Sequence, residues 1–174
     1  MPSRRRSRER ALQMTYQWEV GGGEPDKVVA DFFGALAKEG PTEVDPFAES
    51  LFRQVSSDCE ALDAVIRRHS KRWSLERIAR VLRSLLRLAI SELHTGQTPA
   101  QVVIDEALEI GKRYVGDEST AFLNGILEAA RKEFEQSGSA AGADGRRKAY
   151  ARTKGQARPE RPGRRRKRDA TEHG

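Results

Sequence analysis

The sequence predicts an all-α fold, a compact bundle of six or seven helices in two three-helix halves, followed by a disordered basic C-terminal tail. Apolar residues recur at the spacing of helices packed on one side, and no segment keeps the period-two alternation of strands. From residue 137 onward almost nothing could be buried, so the chain there cannot offset its ordering entropy. We therefore divide the chain into a helical domain, 1–136, and a tail, 137–174.

The first helix is predicted within 4-RRRSRERALQMTYQWEV-20, where five arginines among seven residues lead directly into an amphipathic pattern. Ala11, Met14 and Trp18 recur at helical intervals and form its inward face. The following 20-VGGGEPD-26 is not a phosphate loop, because no strand precedes it and no Gly-Lys-Ser/Thr follows. We interpret it as a flexible connection that ends at Asp26, the predicted N-cap of the second helix.

The second and third helices complete the first half. An apolar face predicts the second helix, which ends at 38-KEGPTEVDP-46, and the third starts near Asp45 and runs to about His69. The length of this third region is compatible with one helix or two, and Ser56 and Ser57 mark the candidate position of a bend. The apolar face of the second helix consists of Val28, Val29, Phe32, Phe33 and Leu36.

The second half begins after a break near Lys71 and Arg72, and 73-WSLERIARVLRSLLRLAISELH-94 predicts one long helix with Ser74 as its N-cap. The two halves are expected to share one core, because about 60 residues alone would be marginally stable. The predicted inward stripe contains Leu75, Ile78, Leu82, Leu85, Ala89 and either Leu86 or Leu93. The predicted solvent face contains Arg77, Arg80, Arg83, Ser84, Arg87 and Ser91.

Start and stop signals delimit the last two helices. Thr98 as cap, Pro99 at the first helical position and Gln101 predict a helix that ends at a glycine after Tyr114. The final helix begins around 117-DEST-120 and continues through an apolar face to Phe134. A glycine inside that helix, at position 125, costs about 1 kcal/mol relative to alanine, which is tolerable where another helix backbone comes close.

Charge is concentrated at the two ends of the chain. Residues 1–10 carry a net charge of +4, residues 11–136 carry −6 and residues 137–174 carry +8. Cations at a helix N-terminus are disfavoured by a few tenths of a kcal/mol to about 1 kcal/mol each, so helix stability does not explain the arginines. They indicate either an external polyanion or a frayed, solvated basic end. The acidic middle suits a basic protein partner.

Catalytic chemistry finds no support in the sequence, and we predict no catalytic residues, no cofactor and no metal. Cys59 has no second cysteine with which to form a disulfide or a thiolate metal site. The histidines His69, His94 and His173 are too scattered for metal ligation, and nucleophile elbows and dinucleotide fingerprints are absent. Without a signal peptide or an apolar run of membrane-spanning length, we expect a cytoplasmic protein that does not enter a membrane.

Four segments, in register over residues 4–135, resemble the NusB family of bacterial transcription antitermination factors. The resemblance implies an all-helical protein that pairs with the ribosomal protein NusE and binds the single-stranded boxA element of nascent ribosomal RNA. It also implies that the complex helps RNA polymerase resist termination. The segments are RRRSRERALQMTYQWEV, WSLERI with LLRLAISEL, VVIDEALEIGKRY and STAFLNGILE.

The resemblance also implies functional residues. It places Asp117, Glu118 and Phe122 near the RNA surface, together with Tyr16, which could equally be a core residue. Charge favours Glu92, Glu106 and Glu109 for the face toward basic NusE. Ser91 departs from relatives that carry tyrosine there, and the tail has no counterpart, so we assign it the role of a nonspecific RNA tether. The RNA-binding arm would consist of Arg4, Arg5, Arg6, Arg8 and Arg10.

Two other function classes remain open from the sequence. A related helical domain occurs in cytosine methyltransferases of ribosomal RNA, so the chain could be an accessory RNA-binding subunit of such an enzyme. A helical adaptor that binds only proteins is the other alternative, and it would leave the arginine-rich arm without a role.

Overall fold

A computed structural model describes residues 2–41 and 45–139, and within these ranges the chain forms six α-helices and one short 3-10 helix, with no strand. This confirms the all-α prediction. None of the described helices combines the length and the apolarity that crossing a membrane requires. The helices are α1 (Arg4–Gly21), α2 (Pro25–Glu39), α3 (Pro46–His69), α4 (Arg80–Thr95), α5 (Ala100–Tyr114) and α6 (Asp117–Ser139), with the 3-10 helix at Leu75–Arg77.

Helix α4 is the centre of the bundle, since it packs against α1, α3, α5 and α6. Leu86 and Ile90 of this helix are fully buried. They belong to one continuous apolar core that includes Phe52 from the first half and Leu127 from the second. The two halves therefore share a core, as predicted, and α4 joins them.

The start of α4 differs from the sequence prediction. Ser74 precedes only the 3-10 helix, and α4 begins at Arg80 after Ile78 and Ala79 take extended backbone angles. Leu75 and Ile78, each 5% exposed, still reach the core from the 3-10 helix and the extended segment. The prediction of a continuous helix from residue 73 is therefore wrong, because the spacing of apolar residues does not by itself fix the backbone angles of Ile78 and Ala79.

Two helix starts and the course of α3 also differ from the sequence prediction. Helix α2 begins at Pro25 with Glu24 as its N-cap, two residues earlier than a cap at Asp26 would allow. Helix α3 is kinked at Asp58, where φ is −111° and ψ is 17°. Thr98 does not cap α5, because its hydroxyl donates instead to the Glu92 carboxylate at 2.8 Å.

The predicted solvent face of α4 is wrong for four of its six residues. Arg77 and Arg80 are exposed, but Ser84, Arg87 and Ser91 are buried. Arg87 donates from Nε and Nη2 to the two oxygens of Asp63 at 2.6 and 2.9 Å. The fourth misplaced residue is Arg83, whose side chain is 13% exposed and pairs with Glu19. These charges are tolerated in the interior because each is paired.

The close helix approach lies at Gly111 in α5 and not at Gly125. A Cβ added to Gly111 would lie 2.9 Å from Leu123 Cδ2 in α6, whereas nothing lies within 4 Å of one added to Gly125. The explanation predicted for Gly125, a close approach of another helix backbone, is therefore wrong.

Helix α6 itself continues to Ser139, past the predicted domain boundary at 136. The disorder predicted for the rest of the tail falls at 140–174, outside the described residues.

Candidate nucleic-acid interface

The arginine-rich arm is the first two turns of α1. The hydroxyl of Ser3 caps this helix by accepting a hydrogen bond from the Arg6 amide at 3.2 Å, and no acidic residue lies in the first turn. Residues 4–10 are therefore helical, which contradicts the alternative of a frayed end. Successive side chains on a helix point about 100° apart, so each arginine meets different neighbours.

Arg8 is buried against Glu92 of α4. Its Nε and Nη2 atoms donate to the two carboxylate oxygens at 2.9 and 2.6 Å. Glu92 is only 4% exposed, and the Thr98 hydroxyl also donates to it. The prediction that Glu92 lies on an exposed, partner-facing surface is therefore wrong, because this carboxylate compensates a buried arginine.

Arg5 makes a similar bidentate pair with Glu106 of α5, but closer to solvent. Its Nε and Nη2 atoms donate to the Glu106 oxygens at 2.9 and 2.7 Å. The two side chains are 51% and 21% exposed. The hydrogen bond and charge of Arg5 outweigh desolvation and hold the pKa of Glu106 below its ordinary value. Glu106 therefore stays ionised beside the arm at neutral pH.

Arg10 is the third arm residue with an internal partner. Its Nη1 atom lies 3.0 Å from Asp45 Oδ2, and Asp45 is 2% exposed. The same carboxylate caps α3 by accepting from the Ala48 amide at 3.1 Å. Three of the five arm arginines, Arg5, Arg8 and Arg10, are therefore paired with carboxylates of the same chain. Their partners are distant in sequence, and only the fold brings them together.

Arg4 and Arg6 form no ion pair with any described residue. The Arg4 guanidinium lies 4.1 Å from the centroid of the Phe47 ring, a cation–π contact. It faces a cavity of about 680 Å³ that Phe47 and Val102 also line. Arg6 faces a second cavity of about 530 Å³, beside Tyr114. The two uncompensated cations thus point to different sides of the arm, and each has an aromatic ring at its cavity.

Tyr16 lies on the outer face of α1 and is 38% exposed. Of the two alternatives left by the sequence, the core position is therefore wrong. An exposed ring two turns from the arm provides an apolar surface on which an unpaired base could stack.

The other predicted RNA-surface residues lie at the start of α6. Glu118 and Phe122 line a cavity of about 380 Å³ together with Trp73 and Arg77, and no arm residue lines it. Asp117 is exposed in the first turn of α6. The start of α6 and the arginine-rich arm therefore line different cavities. Trp73 and Tyr114, both exposed aromatic residues beside arginines, were missed because the sequence pattern does not reveal which aromatic side chains leave the core.

Glu109 lies on the exposed side of α5, one turn after Glu106. Its carboxylate accepts a hydrogen bond from Lys112 Nζ at 2.9 Å, which lowers the pKa of Glu109. Glu109 and the partly exposed Glu106 are therefore the two predicted partner-facing carboxylates that solvent can reach.

Chemistry beyond binding is not evident in the described part of the chain. No group of three or more histidine, cysteine, aspartate or glutamate residues there could hold a metal ion. Burial raises the pKa of the Cys59 thiol to about 11, so the thiolate is scarce at neutral pH.

Comparisons with known proteins agree on one family. The model of the NusB family matches residues 5–132. A transcription antitermination protein NusB from Solibacter usitatus is 38% identical over 136 residues, which cover 78% of this chain and 93% of the relative. One from Anaeromyxobacter dehalogenans is 43% identical over 129 residues, which cover 74% and 90%.

Solved structures show the same fold. A structure of T. maritima NusB superimposes with a TM-score of 0.66 at 33% identity, covering 76% of this chain and 92% of that one. A crystal structure of antitermination factors NusB and NusE in complex with double-stranded RNA superimposes with a TM-score of 0.65 at 25% identity. That match covers 75% of this chain and 96% of the other.

Proposed function

Because the chain belongs to the NusB family of transcription antitermination proteins, we propose that it binds the boxA element of nascent ribosomal RNA together with NusE. In this role it acts within the RNA polymerase antitermination complex and helps the polymerase resist termination. It is a binding factor and not an enzyme. The proposed place of action is the cytoplasm. The observation that carries the proposal is the pair of uncompensated arginines, Arg4 and Arg6, at the start of α1.

The five arm arginines have two kinds of role in this proposal. Arg4 and Arg6 contact RNA phosphates directly, because no carboxylate within residues 2–41 and 45–139 pairs with them. Arg5 joins them through its exposed guanidinium. Arg8 and Arg10 hold the arm against α4 and α3 through their buried partners, so they support RNA binding indirectly. Tyr16 stacks on an unpaired base, which is the usual way that proteins bind single-stranded RNA.

The start of α6 is proposed as a second part of the RNA surface. Phe122 sits in a cavity beside the exposed Trp73 and Arg77, a combination of ring and cation that suits an unpaired nucleotide. Asp117 and Glu118 would contact bases there as hydrogen-bond acceptors, since carboxylates accept from exocyclic amino groups.

NusE is proposed to dock on the acidic side of α5. Glu109 is exposed and Glu106 is partly exposed, which complements a basic ribosomal protein. Glu92 has no direct contact in this proposal because it is buried. A relative of known structure forms a complex with NusE and RNA, which supports a shared assembly.

The RNA in the related complex and the RNA proposed for this protein differ in the number of strands. The related complex contains double-stranded RNA, whereas the proposed boxA ligand is single-stranded. The protein should therefore be titrated with a boxA-like single strand and with a duplex of the same sequence. Tighter binding of the duplex would contradict this part of the proposal.

The proposal is tested by titrating the boxA-like strand with and without NusE, using the wild type and the triple variant Arg4→Ala/Arg5→Ala/Arg6→Ala. We expect NusE to raise the affinity of the wild type for the boxA-like strand. We expect the triple variant to bind this strand more weakly than the wild type does. The matched control replaces three exposed cations outside the arm, Lys38, Arg67 and Lys132, with alanine. If NusE has no effect and both triple variants bind equally well, the antitermination role is refuted.

The basic tail is proposed to act as a nonspecific RNA tether. Residues 137–174 carry a net charge of +8, and a cationic segment attracts RNA without reading its sequence. Such a tether raises the local concentration of RNA near the arm and leaves the choice of sequence to the folded domain.

A further inference from the structure

We propose that Glu106 determines the specificity of RNA binding by occupying the phosphate-binding edge of Arg5 in the free protein. This inference rests on the proposed RNA-binding function. The two Glu106 oxygens accept hydrogen bonds from Arg5 Nε and Nη2 at 2.9 and 2.7 Å. A phosphate uses the same bidentate geometry on a guanidinium. The carboxylate and an RNA phosphate therefore compete for one edge of the Arg5 side chain.

This pair can exchange partners, whereas the other bidentate pair of the arm cannot. The Arg5 and Glu106 side chains are 51% and 21% exposed, so water and RNA reach both. The Arg8 and Glu92 side chains are only 9% and 5% exposed. Separating that pair would leave the buried Glu92 without an arginine partner and would leave Arg8 with only Glu106, 3.9 Å from its Nη1 atom, which is costly. Glu106 is thus the arm's one exchangeable internal competitor among the described residues.

The competition acts differently on specific and nonspecific strands. For a loosely held polyanion, Glu106 cancels the charge of Arg5 and removes one phosphate contact. A strand already held by Arg4 and Arg6 presents its phosphate to Arg5 at high effective concentration, so it can displace the carboxylate. Glu106 therefore weakens nonspecific binding more than specific binding, which is how an unfavourable group raises specificity.

The test is Glu106→Gln, measured with an oligouridine and a boxA-like strand of equal length over a series of salt concentrations. Glutamine keeps the size of the side chain but removes the charge that neutralises Arg5. One additional phosphate contact steepens the salt dependence by roughly 0.7, which corresponds to about fivefold tighter oligouridine binding at roughly 0.1 M salt. The boxA-like strand should gain less, so the ratio of the two affinities should fall.

Asp105→Asn is the matched control. Asp105 is the neighbouring exposed carboxylate of α5, and it accepts from Gln101 Nε2 at 2.8 Å. Its replacement removes the same charge without releasing an arginine, so the salt slope should not change. A second variant, Arg5→Gln in the Glu106→Gln background, should abolish the gain.

Three results would overturn the inference: an unchanged slope in Glu106→Gln, equal gains in Glu106→Gln and Asp105→Asn, or weaker oligouridine binding. Weaker binding would mean that Glu106 orients Arg5 for RNA and does not compete with it. Failure of the proposed function itself looks different, because the wild type would then show no salt-dependent RNA binding at all.

Discussion

Arg8 of α1 and Glu92 of α4 form a bidentate ion pair, with Nη2 of the arginine 2.6 Å from Oε1 of the glutamate, and both side chains are more than nine-tenths buried. The pair joins the arm to the central helix of the bundle. It also shows that the arm is part of the folded domain and not an appendage. Its energetic consequence is testable because a buried charge that loses its partner is strongly destabilising.

Glu92→Gln should lower the free energy of unfolding by about 3 kcal/mol, because it removes the bidentate partner of the buried Arg8 and leaves only the more distant Glu106, 3.9 Å away. Urea denaturation measures the change. Glu60→Gln, at an exposed position on α3, should stay within about 0.5 kcal/mol of the wild type. Equal effects of the two substitutions would contradict a structural role for the pair.

Replacing Gly111 and Gly125 with alanine should change the free energy of unfolding in opposite directions. Gly111→Ala would place a Cβ 2.9 Å from the fully buried Leu123 side chain, so overpacking should cost up to about 2 kcal/mol. Gly125→Ala meets nothing within 4 Å and should gain up to about 1 kcal/mol from helix propensity. Thermal or urea unfolding gives both values. A gain at Gly111 would show that α5 and α6 can move apart without loss.

Glu133 of α6 should make stability depend on pH. Burial by itself would raise its pKa, but hydrogen bonds from Arg68 and His69 outweigh burial and lower it. A carboxyl whose pKa is lower in the folded state stabilises the protein above its unfolded pKa, and this contribution is lost as pH falls through the folded value. Because Glu133 is partly exposed, the effect should be about 1 kcal/mol or less.

The measurement compares wild type and Glu133→Gln by urea unfolding at about pH 6 and about pH 3, on either side of the ordinary carboxyl pKa. The wild type should be the more stable protein at the higher pH, and the difference should shrink at the lower pH. A difference that stays constant between the two conditions would rule out this linkage.

Arg6→Ala should weaken RNA binding without weakening the fold. Arg6 is exposed and forms no ion pair with a described residue, so its loss should reduce the salt slope by roughly 0.7. The free energy of unfolding should change by less than about 0.5 kcal/mol. Arg67→Ala removes an exposed arginine from α3, and its slope should match the wild type. An identical slope for both variants would exclude Arg6 from the interface.

Truncation after Ser139, the end of α6, tests the tail. The shortened protein should bind both oligouridine and a boxA-like strand less tightly, because it loses the net charge of the segment. Its preference for the boxA-like strand should persist. Loss of that preference, with overall affinity kept, would mean that the tail reads sequence and is more than a tether.

The sequence by itself determined the all-helical class, the order of the helices, the break between the two halves and the location of the arginine-rich arm. These features depend on local patterns. Met14 and Trp18 mark the inward face of α1 by their spacing, and the third helix begins at Pro46 as its start signals predicted. Local spacing carries this information because a helix turns by the same angle at every residue.

Only the tertiary structure decided which charges are free. Arg5 and Arg6 are neighbours in the sequence, yet one is neutralised by Glu106 and the other faces solvent. Arg87 lies on the apparent polar face of α4 but is buried with Asp63. No local pattern reveals such pairs, because their partners come from helices that meet only when the core forms. The charge available to RNA is therefore set by long-range packing, although every arginine is visible in the sequence.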